Sequence, residues 1–200
     1  MKAHKINTLN NFIAGWYIPK EVCTGLIDFF EESKDKRAGM IGVWDNEGSS
    51  MATIDPETKD STDVGILNDE RDPRVLRFWE ELGNVVEEYK TLYKYSTEKV
   101  SYWGLNASNI QRYLPGQGYK TWHTEKGLGA AIYRHLTFMI YLNDITDKGE
   151  TEFYHQNIKI SPEAGLAVIW GSDWTFMHRG IPSPTQTKYI VTGWFNFTEK

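Results

Sequence analysis

Two hundred residues, 40% of them hydrophobic and with a formal net charge of −5, suffice for one compact domain whose core needs neither disulfides nor structural zinc. The Lys and Arg residues are scattered and form no basic stripe for a phosphate backbone, which sets nucleic acid aside as a direct partner. Cys23 is the only cysteine, so no intramolecular disulfide can form, and no stretch approaches the ~20 apolar residues of a membrane span.

The N-terminal "MKAHKINTLNNFIAGWY" has no continuous apolar run of the kind a secretory leader needs, so a soluble, cytoplasmic protein is expected. "IPKEVCTGLIDFFEE" follows, with Pro19 where a first helical turn tolerates it and Val22, Leu26, Phe29 and Phe30 at helical spacing. It predicts a helix to about Glu32. Residues 35–68 are rich in Gly, Ser, Thr and Asp with only short apolar pieces, which suits edge strands or a lid over a site. After "DERDP" a second helix is expected, with Leu76, Trp79, Leu82, Val86 and Tyr89 as its apolar stripe.

From Ser108 the texture changes to short β-forming runs separated by turns, including "YRHLTFMIYLND", "LAVIWGSD" and "KYIVTGWFNF". Seven or eight closely spaced strands predict an α+β, mainly β chain, a double-stranded β-helix (jelly roll) with the N-terminal helices packed on its outside. One domain over residues 1–200 is expected, helical and lid-forming over 1–107, with the jelly-roll core over 108–200. Eight Trp and eleven Tyr in so short a chain imply a thick β-rich core or an aromatic-lined cleft.

The chemistry is concentrated in "YKTWHTEKG" and "FMHRG". In an extended strand His123 and Glu125 share a face, and His178 lies between apolar residues and a turn far downstream. Two imidazoles and one carboxylate are the ligands of a facial triad, which leaves positions open on an octahedral ferrous ion. A His-x-Glu tripeptide alone is equally at home on a solvated strand face, so the neighbouring residues matter.

"RYLPGQGYKTWHTE", "LTFMIYLND", "GETEF", "ISPEAGLAVIW", "MHRGIP" and "TKYIVTGWF" run in order from about Asn109 to Phe197. Together they resemble the 2-oxoglutarate and Fe(II)-dependent dioxygenases of the prolyl-4-hydroxylase type, in particular the compact bacterial and phage-like members. The resemblance implies His123, Glu125 and His178 as metal ligands. It implies Lys188 as the cation that pairs with the remote carboxylate of 2-oxoglutarate, and Tyr113 and Tyr141 as its hydrogen-bonding tyrosines. Trp194 would be the aromatic residue beside the site, with Thr137 and Thr192 as weaker pocket residues. Fe(II), 2-oxoglutarate and O2 would be required, with ascorbate as a candidate auxiliary. The reaction would be hydroxylation of a peptidyl, first of all prolyl, or small-molecule substrate, with succinate and CO2 as co-products.

Glu125 departs from the family, which usually has aspartate there. The extra methylene keeps charge and donor type but moves the carboxylate outward, which bears on efficiency more than on identity. The retained carboxylate argues against a halogenase. Lys188, Ile190, Thr192 and Trp194 share one face of an extended strand, so the ammonium either meets an anion inside or snorkels to water from the strand start. Trp103, Tyr119, Trp122, Tyr133 and Trp174 are candidate groove aromatics, and His135 is expected to pack or to support the site from behind. Three other classes compete: a non-catalytic jelly-roll binding module, a degenerate sensor of iron or 2-oxoglutarate, and a zinc hydrolase on the same triad.

Overall fold

The computed structural model describes residues 1–4, 6, 11–44, 50–98 and 100–198. The chain opens with β1 (Lys2–His4) and β2 (Ala14–Tyr17), then α1 (Lys20–Glu32). Five short strands follow: β3 (Arg37–Ala38), β4 (Ile41–Trp44), β5 (Ser50–Thr53), β6 (Lys59–Asp60) and β7 (Thr62–Ile66). Beyond α2 (Pro73–Leu92) come β8 (Trp103–Tyr113), β9 (Gly118–Tyr119), β10 (Arg134–Tyr141), β11 (Thr151–Phe153) and β12 (Ile158–Ile160). β13 (Leu166–Gly171), β14 (His178–Gly180) and β15 (Lys188–Phe197) complete the chain. No helix among the described residues is long and apolar enough to cross a membrane.

Both helices begin where their local chemistry directs. Pro19 takes the capping position ahead of α1, and the carboxylate of Asp72 accepts the Arg74 amide at the start of α2, where Pro73 has no amide to satisfy. The buried face of α2 differs from the expected stripe: Val75, Phe78, Leu82, Val85, Val86 and Tyr89 are buried, whereas Leu76 is 45% exposed. Val75 and Phe78 are three apart and complete the face with Leu82. Leu76 lies about one hundred degrees further round the helix.

The main sheet has eight strands in the order β1-β2-β13-β10-β15-β8-β7-β3, every neighbouring pair antiparallel. Alternation gives it two different faces. Ile110, Phe138, Ile140, Ala167, Ile169 and Val191 pack against Leu26, Phe30, Phe78 and Val85 of the helices. On the opposite face Met139, Tyr141, Val168, Trp170 and Ile190 pack against Phe153 and Ile160 of a second sheet, β12-β11-β14. The molecule is thus mainly β, with two helices over one face of a large antiparallel sheet and a smaller sheet over the other.

Residues 35–68 contain β3 to β7: β4 and β5 pair with each other, β6 pairs with β9, and β3 and β7 extend the main sheet. Strand β8 also starts earlier than the sequence pattern shows, at Trp103. The stretch around His123 is less regular than an extended strand. It makes a single isolated bridge to His178 and no continuing ladder.

Candidate metal centre

His178 begins β14, and its backbone exchanges two hydrogen bonds with that of His123, each 2.9 Å. That bridge fixes the two imidazoles side by side, with ring centroids 4.3 Å apart. The Nδ1 of His123 lies 3.0 Å from the Thr121 carbonyl and that of His178 lies 2.8 Å from the Phe176 carbonyl. A carbonyl oxygen only accepts, so both Nδ1 atoms carry the proton and both Nε2 atoms are left for other work. Tyr119 stacks on His123 at 3.5 Å between centroids and 6° between planes, holding the ring flat.

Glu125 closes the group. Its Oε1 lies 3.8 Å from His123 Nε2 and 3.4 Å from His178 Nε2, and one donor atom from each of the three residues falls within 4.8 Å of the others. Its other oxygen accepts from Trp194 Nε1 at 2.8 Å and from Arg134 at 3.3 Å. Burial raises the carboxyl's affinity for protons, but the neighbouring His178, His123 and Arg134 outweigh it and hold the carboxyl well below the usual range. Burial, reinforced by the adjacent His178, lowers His123 to about 3. At neutral pH the set therefore presents a carboxylate and uncharged His123.

These residues line a cavity of about 250 Å³. Its wall is the inward row of two paired strands: Lys188, Ile190, Thr192 and Trp194 of β15, with Gln111 and Tyr113 of β8. Lys188 faces Tyr113 at one end, and Trp194 touches Glu125 at the other. Lys188 is only 4% exposed and does not snorkel; its ammonium donates to the Gly149 carbonyl at 2.9 Å and sits over the Tyr113 ring. Tyr113 donates to Gln111 Oε1 at 2.5 Å. Tyr141 does not line the cavity. Its hydroxyl reaches Thr151 Oγ1 at 2.7 Å and the Ile160 carbonyl at 3.1 Å, and Thr151 stands between it and the open space.

The model of the 2OG-Fe(II) oxygenase superfamily matches residues 108–196, the stretch that carries every one of these side chains. Residues 108–196 are a 2OG-Fe(II) oxygenase domain. No curated protein matches the chain. Among solved structures, the viral collagen prolyl hydroxylase of Paramecium bursaria Chlorella virus-1, in its 2OG complex, is similar to it with a TM-score of 0.68 and 16% identity, over 94% of this chain and 98% of that one. A Pseudomonas putida prolyl-4-hydroxylase gives a TM-score of 0.64 at 15% identity, covering 94% of each chain. A Trichoplax adhaerens prolyl hydroxylase, solved with a hypoxia inducible factor oxygen degradation domain peptide fragment, gives 0.67 at 15% over 94% of this chain and 84% of that one. At such identities the likeness is one of fold.

The cofactors of such an oxygenase domain are Fe(II) and 2-oxoglutarate, and the residues fit both. One carboxylate and two imidazoles with free Nε2 atoms are the donors that a ferrous facial triad takes. A buried ammonium in the same cavity, hydrogen-bonded to a carbonyl and with no salt bridge among the described residues, is matched to one end of a dicarboxylate.

Other residues of the oxygenase domain lie as follows. Thr192 lines the cavity while donating to the Phe138 carbonyl; Thr137 is fully buried against Ser172 and does not. His135 packs between Trp103 and Phe197 and bonds the Ser96 carbonyl, away from the ligands. Of the candidate groove aromatics, Tyr119 lines the cavity, Trp103 belongs to the helix-side core, Trp122 meets Tyr154 outside it, and Tyr133 and Trp174 are exposed.

Arg134 was not legible as a site residue. Plain alternation would place it with Leu136 and Phe138 on the helix side, but the register of β10 breaks between Arg134 and Leu136. The break turns its guanidinium to Glu125. The buried Lys59–Asp63 pair of the same wall was missed as well, for want of any local pattern that distinguishes it from an exposed i,i+4 pair.

Proposed function

We propose that the protein is a 2-oxoglutarate-dependent dioxygenase that hydroxylates a peptidyl substrate, in the first instance a prolyl residue, or a small molecule, releasing succinate and CO2. The observation that carries this reading is that His123, Glu125, His178 and the buried Lys188 open into one cavity. The two sheets would be the halves of a double-stranded β-helix, with the helices as outer supports and residues 1–200 as one domain. We also place its action in the cytoplasm.

His123, Glu125 and His178 would hold Fe(II), which supplies the activation of dioxygen that couples 2-oxoglutarate decarboxylation to hydroxylation. Lys188 binds the remote carboxylate by charge-assisted hydrogen bonds, with the Tyr113 hydroxyl at the same end of the row. Tyr141 acts from behind, by orienting the hydroxyl of Thr151. Met139, Trp170 and Ile190 add apolar lining to the cavity that limits water. Met40, Ile41 and Gly42, at the start of the β4–β5 hairpin, line the cavity from outside the oxygenase domain, where a substrate would enter.

The test is an anaerobic titration of the purified protein with Fe(II) and then 2-oxoglutarate, followed through the visible charge-transfer band. Saturation near one equivalent of iron, absent in His178→Ala, is expected. A folded protein with no band would remove the assignment, and a band without succinate formation on any peptide or amino-acid substrate tried would favour a sensor.

A further inference from the structure

Glu125 is one methylene longer than the aspartate usual in the resembling family, and its surroundings show how the length is absorbed. The outer oxygen, Oε2, accepts from Trp194 Nε1 at 2.8 Å and from Arg134 Nη1 at 3.3 Å. The same Nη1 donates to the Glu125 backbone carbonyl at 2.7 Å, so Arg134 grips both ends of the residue. Its guanidinium lies 3.8 Å over the Trp194 ring. Arg134 and Trp194 come from neighbouring strands β10 and β15. Oε1 alone is left facing the two Nε2 atoms.

A carboxylate with both oxygens free can chelate a cation through both, as many Asp and Glu ligands do. Here that would use a position that cosubstrate or oxygen needs. We propose that Arg134 and Trp194 are positioning residues that confine Glu125 to ligation through one oxygen, and that this clamp is what makes glutamate serviceable at position 125. The proposal rests on the metal-centre reading. It has a counterintuitive consequence for the family-like residue. An aspartate would retract the carboxylate by one carbon–carbon bond, about 1.5 Å. It could then keep the clamp or reach the ion, but not both.

The experiment is a Co(II) titration of the full chain, followed by calorimetry and by the visible ligand-field bands, whose intensity reports coordination number. Glu125→Asp and Trp194→Phe should each weaken Co(II) binding about 10- to 100-fold, the range seen when a residue supporting a metal ligand is lost. In the double variant, Trp194→Phe should cost less than about threefold more, because the shorter carboxylate can no longer serve the indole and the ion together. Trp194→Phe keeps an aromatic ring beneath Arg134; should it fail to fold, Arg134→Met carries the same expectation. Glu125→Asp binding Co(II) as tightly as the parent, or losses that multiply in the double variant, would overturn the clamp. A parent protein that binds no Co(II) at all would remove the metal centre together with it.

Discussion

Burial shifts Lys188 from an ordinary 10.5 down to about 8, opposed only by the charge of Glu150. The lowered value has two consequences of opposite direction. Without cosubstrate, the unfolded chain keeps this proton between about pH 8 and 10.5 while the folded protein has released it, so this residue's contribution to stability rises with pH across that window. A dicarboxylate requires the charged form, so its affinity falls as pH rises through about 8. The dissociation constant of 2-oxoglutarate, measured from the charge-transfer band, should weaken by up to about tenfold per pH unit above that point. Lys188→Met should bind more weakly throughout and lose the slope; a slope unchanged in that variant would take the lysine out of the site. The place of this residue on the strand left burial and snorkelling equally open; it is buried, in the wall that Ile190, Thr192 and Trp194 also line. Arg134 was not, because one break in register reverses the face that alternation assigns.

Individual elements follow the sequence where a periodic signal is long. The expected helix to Glu32 ends there. In α2 the stripe was misplaced at its first two positions, because Val75 and Leu76, like Phe78 and Trp79, are adjacent apolar residues and only tertiary packing chooses between them. The choice has a measurable cost. Phe78, fully buried against Phe138 and Trp79, should lose about 3–5 kcal/mol on replacement by alanine. Leu76→Ala should stay within about 0.5 kcal/mol of the parent. Urea midpoints decide it, and equal losses would contradict the assigned face. The segment around His123 was expected to be an extended strand and is an isolated bridge instead, since the pairing of that backbone is set by a residue far down the chain.

At the scale of the molecule, the β-rich class was legible but the strand order was not. β2 lies beside β13, and β7 beside β8, through pairings that no local pattern encodes. Both faces of the main sheet are apolar because one carries the helices and the other the cavity side, so the binary pattern shows two buried faces without saying what covers either. The triad joins the smaller sheet to the β9–β10 connection, so a bound ion would tie together parts that belong only to the folded state. At a free Co(II) concentration 100 times the dissociation constant, the gain should be about 2.7 kcal/mol. For a chain of this size that is about 5–10 °C in Tm. Chelation should reverse the shift and His178→Ala should abolish it; a shift retained in that variant would place the ion elsewhere.

The reciprocal bridge between His123 and His178 has a further bearing on how such a centre can diversify. Two backbone hydrogen bonds set the separation of the imidazoles directly, so it is indifferent to the length of chain that runs between them. Insertions or deletions that leave the bridge itself intact would lengthen or shorten the route while the two imidazoles keep their separation. New surface could then be acquired around the cavity by lineages that never had to rebuild the centre.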